Sequence, residues 1–515
     1  MTGTQPGAGG PAGSEQSPAR TEDGPARFDD PADFKDARVT VAGLGVSGVP
    51  AAKALHHLGA RVTVVNGPAG DKQHAEAAEL EALGIAVRLG DADTLPDGTN
   101  LVVTTPGWKP SSPLFAAAGA AGVQVWGDVE LAWRLRGPGA APWLAITGTN
   151  GKTTATRMLA AILTAAGLRT AAVGNIGVSL FDVILGDQEG GPYDVLAVEL
   201  SSYQLHWAPS IRPHSAAVLN LAPDHLDWHG SMAAYAADKG RIYTGNQVAC
   251  VYNTADPETE RLVREADVEE GCRAIGFTLQ APTPSQFGVV DGILVDRAFV
   301  EDRQHQAQEL AEVADVRPPA PHNIANALAA AALARAYGVR PDAVREGLRA
   351  FRPDAHRIAE VAVVDGVTYV DDSKATNTHA AEASLTSYPS VVWLAGGLAK
   401  GAEFDALAAA AASRLRAAVL FGADRAVIRE ALARHAPQVP VVELERTDTG
   451  AMSAAVGTAR DLAQPGDTVL LAPACASMDM FTNYNQRGDV FAEAVRALAA
   501  RGGGPEEAGP ADHGR

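Results

Sequence analysis

Residues 143–159 read WLAITGTNGKTTATRML. An apolar run, Trp143 to Ile146, meets a glycine turn that opens onto a helix-forming stretch. That order suits the holding of phosphate. In the loop Gly148, Thr149, Asn150, Gly151, the glycines let the backbone approach an anion closely. Successive N–H groups and the following helix N-terminus supply positive potential. Lys152 adds a mobile cation for β and γ phosphates, Thr153 a hydroxyl for Mg2+, and Thr154 closes the motif. Ile146 stands where the strict phosphate-loop pattern has glycine. The loop alone leaves open whether its phosphate regulates, drives transport, phosphorylates a substrate or activates a carboxylate.

Outward from this loop, the chain repeats a strand–turn–helix grammar three times. The first stretch, ARVTVAGLGVSGVPAAKALHHLGARVTVVN, carries the glycines Gly43, Gly45 and Gly48 after a strand, and NLVVTTPG and VQVWGD read as further strands. The second contains the phosphate loop, then DVLAVELSSYQL and SAAVLNLAPDHLDWHG, and closes with the helix pattern HNIANALAAAALARAYG, Gly338 being a C-cap. The third offers EVAVVDGVTYVDD, SVVWLAGG, AAVLFG, PVVEL and DTVLLAPA as strands between Ala-rich helices. Such alternation predicts parallel α/β domains. A length of 515 residues agrees with about three of them at roughly 150 residues each. The expected bounds are 37–130, 131–352 and 353–501, with disordered Gly-, Pro- and Ser-rich tails at 1–36 and 502–515. Residues 255–320, rich in charge and turns, do not parse.

Bulk composition narrows the function. Hydrophobic residues make up 46%, enough for several cores, and the net charge of -19 argues against a nucleic-acid or anionic-membrane surface. Cys250, Cys272 and Cys475 show no zinc spacing, and their odd number opposes a complete disulfide framework. A reducing cytoplasm fits. The N-terminus lacks the apolar core of a signal peptide, and no uninterrupted apolar stretch of about 18 residues predicts a membrane span.

The GLGVSG loop alone would suggest a dinucleotide, but the second strand ends in Asn66 rather than the acid that binds a ribose. A nicotinamide oxidoreductase is thereby weakened. Other polar residues gather at strand ends. Glu199 ends DVLAVEL and is placed for Mg2+. Asp224, His225, Asp227 and His229 crowd after a strand, where His225 is a candidate metal ligand. Lys239, by itself, reads as a helical surface lysine. His356 and Arg357 lie at a domain junction, and VDDSKATN sets Asp371, Asp372, Ser373, Lys374, Thr376 and Asn377 after a strand. Cys475 reads as a buried structural thiol, and Ser477 with its neighbouring amides as an anion nest.

Together GTNGKTT, ELSSYQL, DHLDWHG, AYAADKGRIY, HNIANALAA, AHR and DSKATN resemble, in order, the Mur ligase family, which adds amino acids to a UDP-linked peptidoglycan precursor. The resemblance runs from about Ala37 to Ala500. It implies a Rossmann-like UDP-binding domain, a phosphate-loop ATPase-like domain and a Rossmann-like C-terminal domain. DSKATN with PACASMDMFTNYNQRGDVF resembles the D-glutamate-adding branch. The implied reaction joins D-glutamate to UDP-N-acetylmuramoyl-L-alanine with ATP and Mg2+, through an acyl phosphate, in the cytoplasm.

The resemblance also implies roles. Lys152 contacts the ATP phosphates; Thr153 and Glu199 hold one Mg2+. His225 and Lys239 hold a second, Lys239 as a carbamate whose hard oxygens an ammonium lacks. Asn323 and Asn326 face adenine, Asp372 the ribose, and Arg357 belongs to the ATP site; Lys374 lies by the transferred phosphate. Thr376, Lys400, Ser477, Met478 and Tyr484 surround D-glutamate. Asn175, Thr105, Pro106 and Gly107 contact the UDP-sugar, and Val46 and Ser47 lie by the uracil. Two positions depart from the pattern: Asn66 replaces an acid at the uridine site, and Tyr484 replaces Phe. Sister ligases taking other amino acids, and a non-catalytic nucleotide-binding regulator, are the alternatives. The oligomeric state is open, a monomer being favoured.

Overall fold

A computed structural model describes residues 28, 30–137, 139–186, 191–353 and 356–502. The chain divides into two compact units, one ending at Leu135 and the other beginning at Arg136. The first therefore ends five residues beyond the expected Glu130. The reason is local: the helix Asp128–Arg134 packs on its own sheet, and the Arg134 guanidinium lies 4.3 Å from the Trp126 ring centroid.

The first unit holds five strands: β1 (Arg38–Ala42), β2 (Arg61–Asn66), β3 (Ala86–Leu89), β4 (Leu101–Thr104) and β5 (Gln124–Gly127). All are parallel, in the order β3-β2-β1-β4-β5. This is a Rossmann-type winding, whose ligand crevice lies at the C-terminal strand ends, between β1 and β4. β3 was not anticipated, because its four residues carry Arg88. The tail expected at 1–36 falls partly outside the described residues, but its last part is structured. Asp30 caps the single turn Pro31–Phe34, and Phe34 is buried against Phe28, ring centroids 5.0 Å apart. Phe28 in turn meets Trp126 edge-on at 5.8 Å. Residues 503–515 lie outside the described residues.

The second unit carries two sheets. One contains β6 (Trp143–Thr147), β7 (Thr170–Gly174), β8 (Val195–Glu199), β9 (Ser215–Val218), β10 (Ala249–Asn253), β11 (Arg273–Phe277), β12 (Gln286–Val290), β13 (Ile293–Asp296) and β14 (Gln308–Glu312). Its order is β14-β13-β12-β11-β10-β9-β6-β8-β7. β6 lies between β8 and β9, so the phosphate loop emerges at a crossover point. The segment 255–320 that did not parse holds the helix Pro257–Arg264, the parallel strand β11 and then an antiparallel extension, β12 to β14. The buried Ala-rich face of the helix Pro321–Ala336 and the helix Lys152–Ala165 pack into one apolar core with β6, β9 and β10.

The other sheet holds β15 (Ala359–Val364), β16 (Val367–Asp371), β17 (Val391–Gly396), β18 (Leu415–Phe421), β19 (Val441–Glu443) and β20 (Thr468–Leu471), ordered β15-β16-β20-β17-β18-β19. The stretch read as one strand, EVAVVDGVTYVDD, is a hairpin. Asp365 (φ 52°) and Gly366 (φ 77°) turn between antiparallel β15 and β16, the backbone that an Asp-Gly turn favours. Separate apolar clusters cover the two faces of this sheet. The boundary expected at 352/353 lies inside the second unit. Among the described residues, no helix is long and apolar enough to cross a membrane.

Candidate active site

In the second unit, the loop after β6 and the ends of β8, β9, β16 and β17 border one cavity of about 1740 Å³. The loop's shape needs its glycines. Gly151 has φ 83°, and a Cβ there would lie 2.3 Å from Asn326 Oδ1. Side chains brace the loop from behind. The Asn150 N–H donates to Asn220 Oδ1 at 2.9 Å, and the Thr149 hydroxyl meets the Tyr235 hydroxyl at 2.9 Å. Neither Asn220 nor Tyr235 was singled out from sequence; a polar residue just past a strand was the available signal for Asn220.

Lys152 begins the helix Lys152–Ala165 and donates to the carbonyls of Gly148 and Thr149, both at 2.9 Å. Burial pushes its pKa down, the carboxylates of Glu199 and Asp224 opposing. The Thr153 hydroxyl donates to Glu199 Oε2 at 2.8 Å, and Asn175 Nδ2 to Glu199 Oε1 at 2.9 Å. Thr153 and Glu199 therefore form a hard-oxygen pair open to the cavity, a donor set that suits Mg2+ when water or phosphate oxygens complete it.

Lys239 is not a surface lysine. It lies on the helix Met232–Gly240 with 2% exposure, and donates to Gly148 O at 2.8 Å and Thr147 Oγ1 at 3.3 Å. Burial first, then the charge of Lys152, hold its pKa well below the lysine range. A lowered pKa raises the share of neutral amine, the form that can add CO2. His225, at φ 54°, opens the short helix Leu226–His229 on the cavity wall. Burial lowers its pKa, Lys152 and Lys239 adding to the effect and Asp224 opposing it. A neutral imidazole is the ligating form. His225 thus fits a metal in protonation state, whereas Lys239 as an amine donates to Gly148 and Thr147 and would ligate only as a carbamate. Among the described residues, no three or more His, Cys, Asp or Glu gather as a metal cluster; a second ion would depend on the carbamate.

Asn323 and Asn326 are buried on one helix at the cavity, with Asn326 Nδ2 3.5 Å from Asn323 Oδ1. Arg357 reaches the first turn of the helix after the phosphate loop, donating from Nη1 to Thr154 Oγ1 at 3.1 Å. Asp372, buried after β16, is raised to about 6 by desolvation. Its carboxylate accepts from the Ser384 hydroxyl and from the Ile358 N–H at 3.3 Å. Lys374 is lowered to about 8, chiefly by burial and then by Arg357, and its Nζ lies 5.4 Å from the Tyr484 ring centroid. Thr376, Lys400 and Tyr484 line the cavity, whereas Ser477 is buried one residue beyond the lining Ala476 and Met478 is 63% exposed. The expected structural thiol, Cys475, is buried and pushed up to about 12.

A residue not singled out from sequence organises this end. Arg487, fully buried, donates from Nε to Ser373 Oγ at 2.9 Å, from Nη2 to Ser373 O at 2.7 Å and from Nη1 to Cys475 O at 3.1 Å. It ties the loop carrying Lys374 to the segment carrying Ser477.

In the first unit, Gly43 and Gly48 permit a close crossing: a Cβ at Gly48 would lie 2.0 Å from Gly43 O. Asn66 Oδ1 accepts from the Leu44 N–H at 3.1 Å, so the amide steadies the glycine loop where an acid was expected. Thr105 is fixed by hydrogen bonds to Ala42 O, and Pro106 and Gly107 follow it after β4. Val46 is 88% exposed, with Ser47 beside it at the start of the helix Gly48–His57.

Phosphate loop, paired oxygen donors and charged third-sheet loops around one cavity are the equipment of an ATP-consuming ligase. The chain belongs to the Mur ligase family: the family's middle domain matches residues 146–334, and the domain described as Mur ligase, glutamate ligase domain matches residues 356–475. A protein of Streptomyces avermitilis named UDP-N-acetylmuramoylalanine--D-glutamate ligase is 77% identical over 468 residues, covering 91% of this chain and 100% of its own. A relative of the same name from Thermobifida fusca is 58% identical over 469 residues, with 91% and 100% covered. Among solved structures, a pseudomurein peptide ligase type C from Methanothermus fervidus matches with a TM-score of 0.55 at 18% identity, over 90% of this chain and 100% of that one. A MurF ligase from Thermotoga maritima in complex with ADP matches at 0.53 and 16%, over 92% and 98%. These two structures share the fold.

Proposed function

We propose that this protein uses ATP to join D-glutamate to UDP-N-acetylmuramoyl-L-alanine in the cytoplasmic synthesis of peptidoglycan precursor. The observation that carries this reading is the convergence on one cavity of the phosphate loop, the Thr153–Glu199 pair and the third-sheet cations Lys374 and Lys400. The names of the relatives at 77% and 58% identity support the choice of amino acid.

A carboxylate resists amines because oxide is a poor leaving group. The terminal carboxylate of the L-alanyl group therefore attacks the γ-phosphorus of ATP; a C–O–P bond forms, the bond to the β-phosphate oxygen breaks, and ADP leaves. The D-glutamate amine then attacks the acyl carbon, losing a proton, and inorganic phosphate departs with the C–O bond. Lys152 neutralises the moving phosphoryl group, and Lys374 approaches from the third sheet to meet the same charge. Thr153 with Glu199, and His225 with a carbamylated Lys239, would hold Mg2+, which when bound supplies further neutralisation of phosphate charge. Asn323 and Asn326 hold the adenine side, Asp372 the ribose, and Arg357 braces the helix that follows the phosphate loop through Thr154. Thr376, Lys400, Ser477, Met478 and Tyr484 surround D-glutamate. Val46 and Ser47 lie by the uracil, and Asn175 with Thr105 to Gly107 contacts the UDP-sugar. Enclosure of the acyl phosphate excludes the water that would hydrolyse it.

The test is phosphate release with ATP, Mg2+ and UDP-N-acetylmuramoyl-L-alanine across a panel of amino acids. Release that requires D-glutamate, with a product heavier by one glutamyl residue, is the expected result. Release with another amino acid overturns the pocket assignment. A folded, ATP-binding protein that releases none overturns the ligase.

A further inference from the structure

The phosphate loop and the third sheet are joined by a short directional chain of side chains. Asn377 is the N-cap of the helix Thr378–Leu385, and its Oδ1 accepts from the Ala380 N–H at 2.8 Å. Its Nδ2 is therefore the outward donor, 3.5 Å from Asn150 Oδ1. Asn150 consequently turns its own Nδ2 toward His379 Nδ1, 2.9 Å away. The Asn150 backbone is fixed separately: its N–H donates to Asn220 Oδ1 at 2.9 Å, and its carbonyl accepts from Asn220 Nδ2 at 3.1 Å. Direction is thus set from the capped helix outward. With Asn150 donating, His379 Nδ1 is the acceptor, the role of the tautomer that carries its hydrogen on Nε2.

We propose that His379 is a positioning residue: by accepting from Asn150 it latches the helix Thr378–Leu385 onto the phosphate loop and holds the two sides of the cavity in register for the reaction. The latch follows directly after Lys374 and Thr376 in the chain, so it sets how closely those residues stand to the loop that carries Lys152. His379 is exposed on the cavity rim and packs into no apolar core, so its substitution leaves the fold intact. The proposal rests on the ligase reading for its kinetic consequence, but not for its geometry.

Three substitutions separate the latch from a general loss. In His379→Asn the amide oxygen takes the place of Nδ1; in His379→Gln the amide reaches toward Nε2; His379→Ala has neither. The Ala and Gln variants are expected to raise the D-glutamate Michaelis constant about three- to tenfold, the range of one neutral hydrogen bond, with ADP affinity changed by less than about twofold. The Asn variant is expected to restore most of the loss. An Asn variant as impaired as Ala, or an Ala variant like the wild type, overturns the proposal. Two readouts are independent of turnover. Nitrogen-15 spectra of histidine-labelled full-length protein are expected to show His379 as the Nε2–H tautomer; the Nδ1–H tautomer overturns the latch. Hydrogen exchange is expected to speed up together in peptides spanning 148–152 and 377–385 in the Ala and Gln variants, and not in the Asn variant. Equal exchange in all four proteins overturns it. If the wild type shows no D-glutamate-dependent turnover, the functional reading fails, while these two measurements still decide the latch.

Discussion

Arg487 poses a question of which effect wins. It is fully buried, and three bonds run to Ser373 Oγ, Ser373 O and Cys475 O. Burial pushes its pKa down from the usual arginine value to about 10, the charges of Cys475, Asp479 and Asp371 opposing. Holding the charge there costs about 3 kcal/mol at 1.36 kcal/mol per pKa unit. Each charge-assisted bond contributes about 1.5–3 kcal/mol, so the three together exceed that cost. Truncation also strands two buried carbonyls. Arg487→Ala is therefore expected to destabilise the third sheet by about 2–5 kcal/mol. Arg487→Met decides the sign. If burial of charge dominated, a methionine of similar reach would be neutral or stabilising; if the bonds dominate, Met loses nearly as much as Ala. Arg487→Lys keeps the charge but not the planar fork, and should fall between. Urea-dependent hydrogen exchange in peptides of β17 and β20 measures the local opening free energy without assuming that a multi-sheet chain unfolds in one step. A Met variant as stable as the wild type would refute the reasoning.

Three further outcomes are expected. Lys239→Ala should be inactive and partly recovered by a short carboxylate in solution, read by phosphate release; full activity without the additive contradicts the carbamate. Ser477→Ala should raise the Michaelis constant for D-glutamate more than that for ATP, in initial-rate measurements with each varied in turn; the reverse removes Ser477 from the pocket. His356 is held above its ordinary pKa first by the hydrogen bond from Nδ1 to Asp371 Oδ2 at 2.6 Å, with burial opposing and the charges of Asp371 and Asp489 assisting. A raised folded pKa stabilises fully below the unfolded value near 6.5 and loses that stabilisation as pH rises through the folded value. Denaturant midpoints of the wild type should therefore fall from about pH 6.5 upward, and His356→Gln should flatten that slope; parallel slopes would exclude this pair as the cause.

Much of the architecture was legible because local rules act over few residues. Trp143 to Leu159 declare a strand, a glycine turn and a helix without reference to anything distant, and GLGVSG does the same in the first unit. The polar residues that follow strands, Glu199, His225 and Asp372, were legible as site candidates because strand ends face the crevice in parallel sheets. Asp291-Gly292 and Asp365-Gly366 are two Asp-Gly turns, both with positive φ, that mark the hairpins β12–β13 and β15–β16.

What the sequence by itself determined is the set of phosphate-loop, strand-end and glycine-turn chemistries and their order, because each depends on residues a few positions apart. Only the tertiary structure decided the state of groups whose partners are remote. Lys239 reads as solvent-facing on its helix, yet it is buried against Gly148, 91 positions away. Arg487 looks like any surface arginine until its contact with Ser373, 114 positions away, is seen. Asn150 and His379 meet across 229 positions. Burial, protonation state and hydrogen-bond direction come from the whole neighbourhood, and chain packing assembles that neighbourhood from segments that local sequence patterns cannot join.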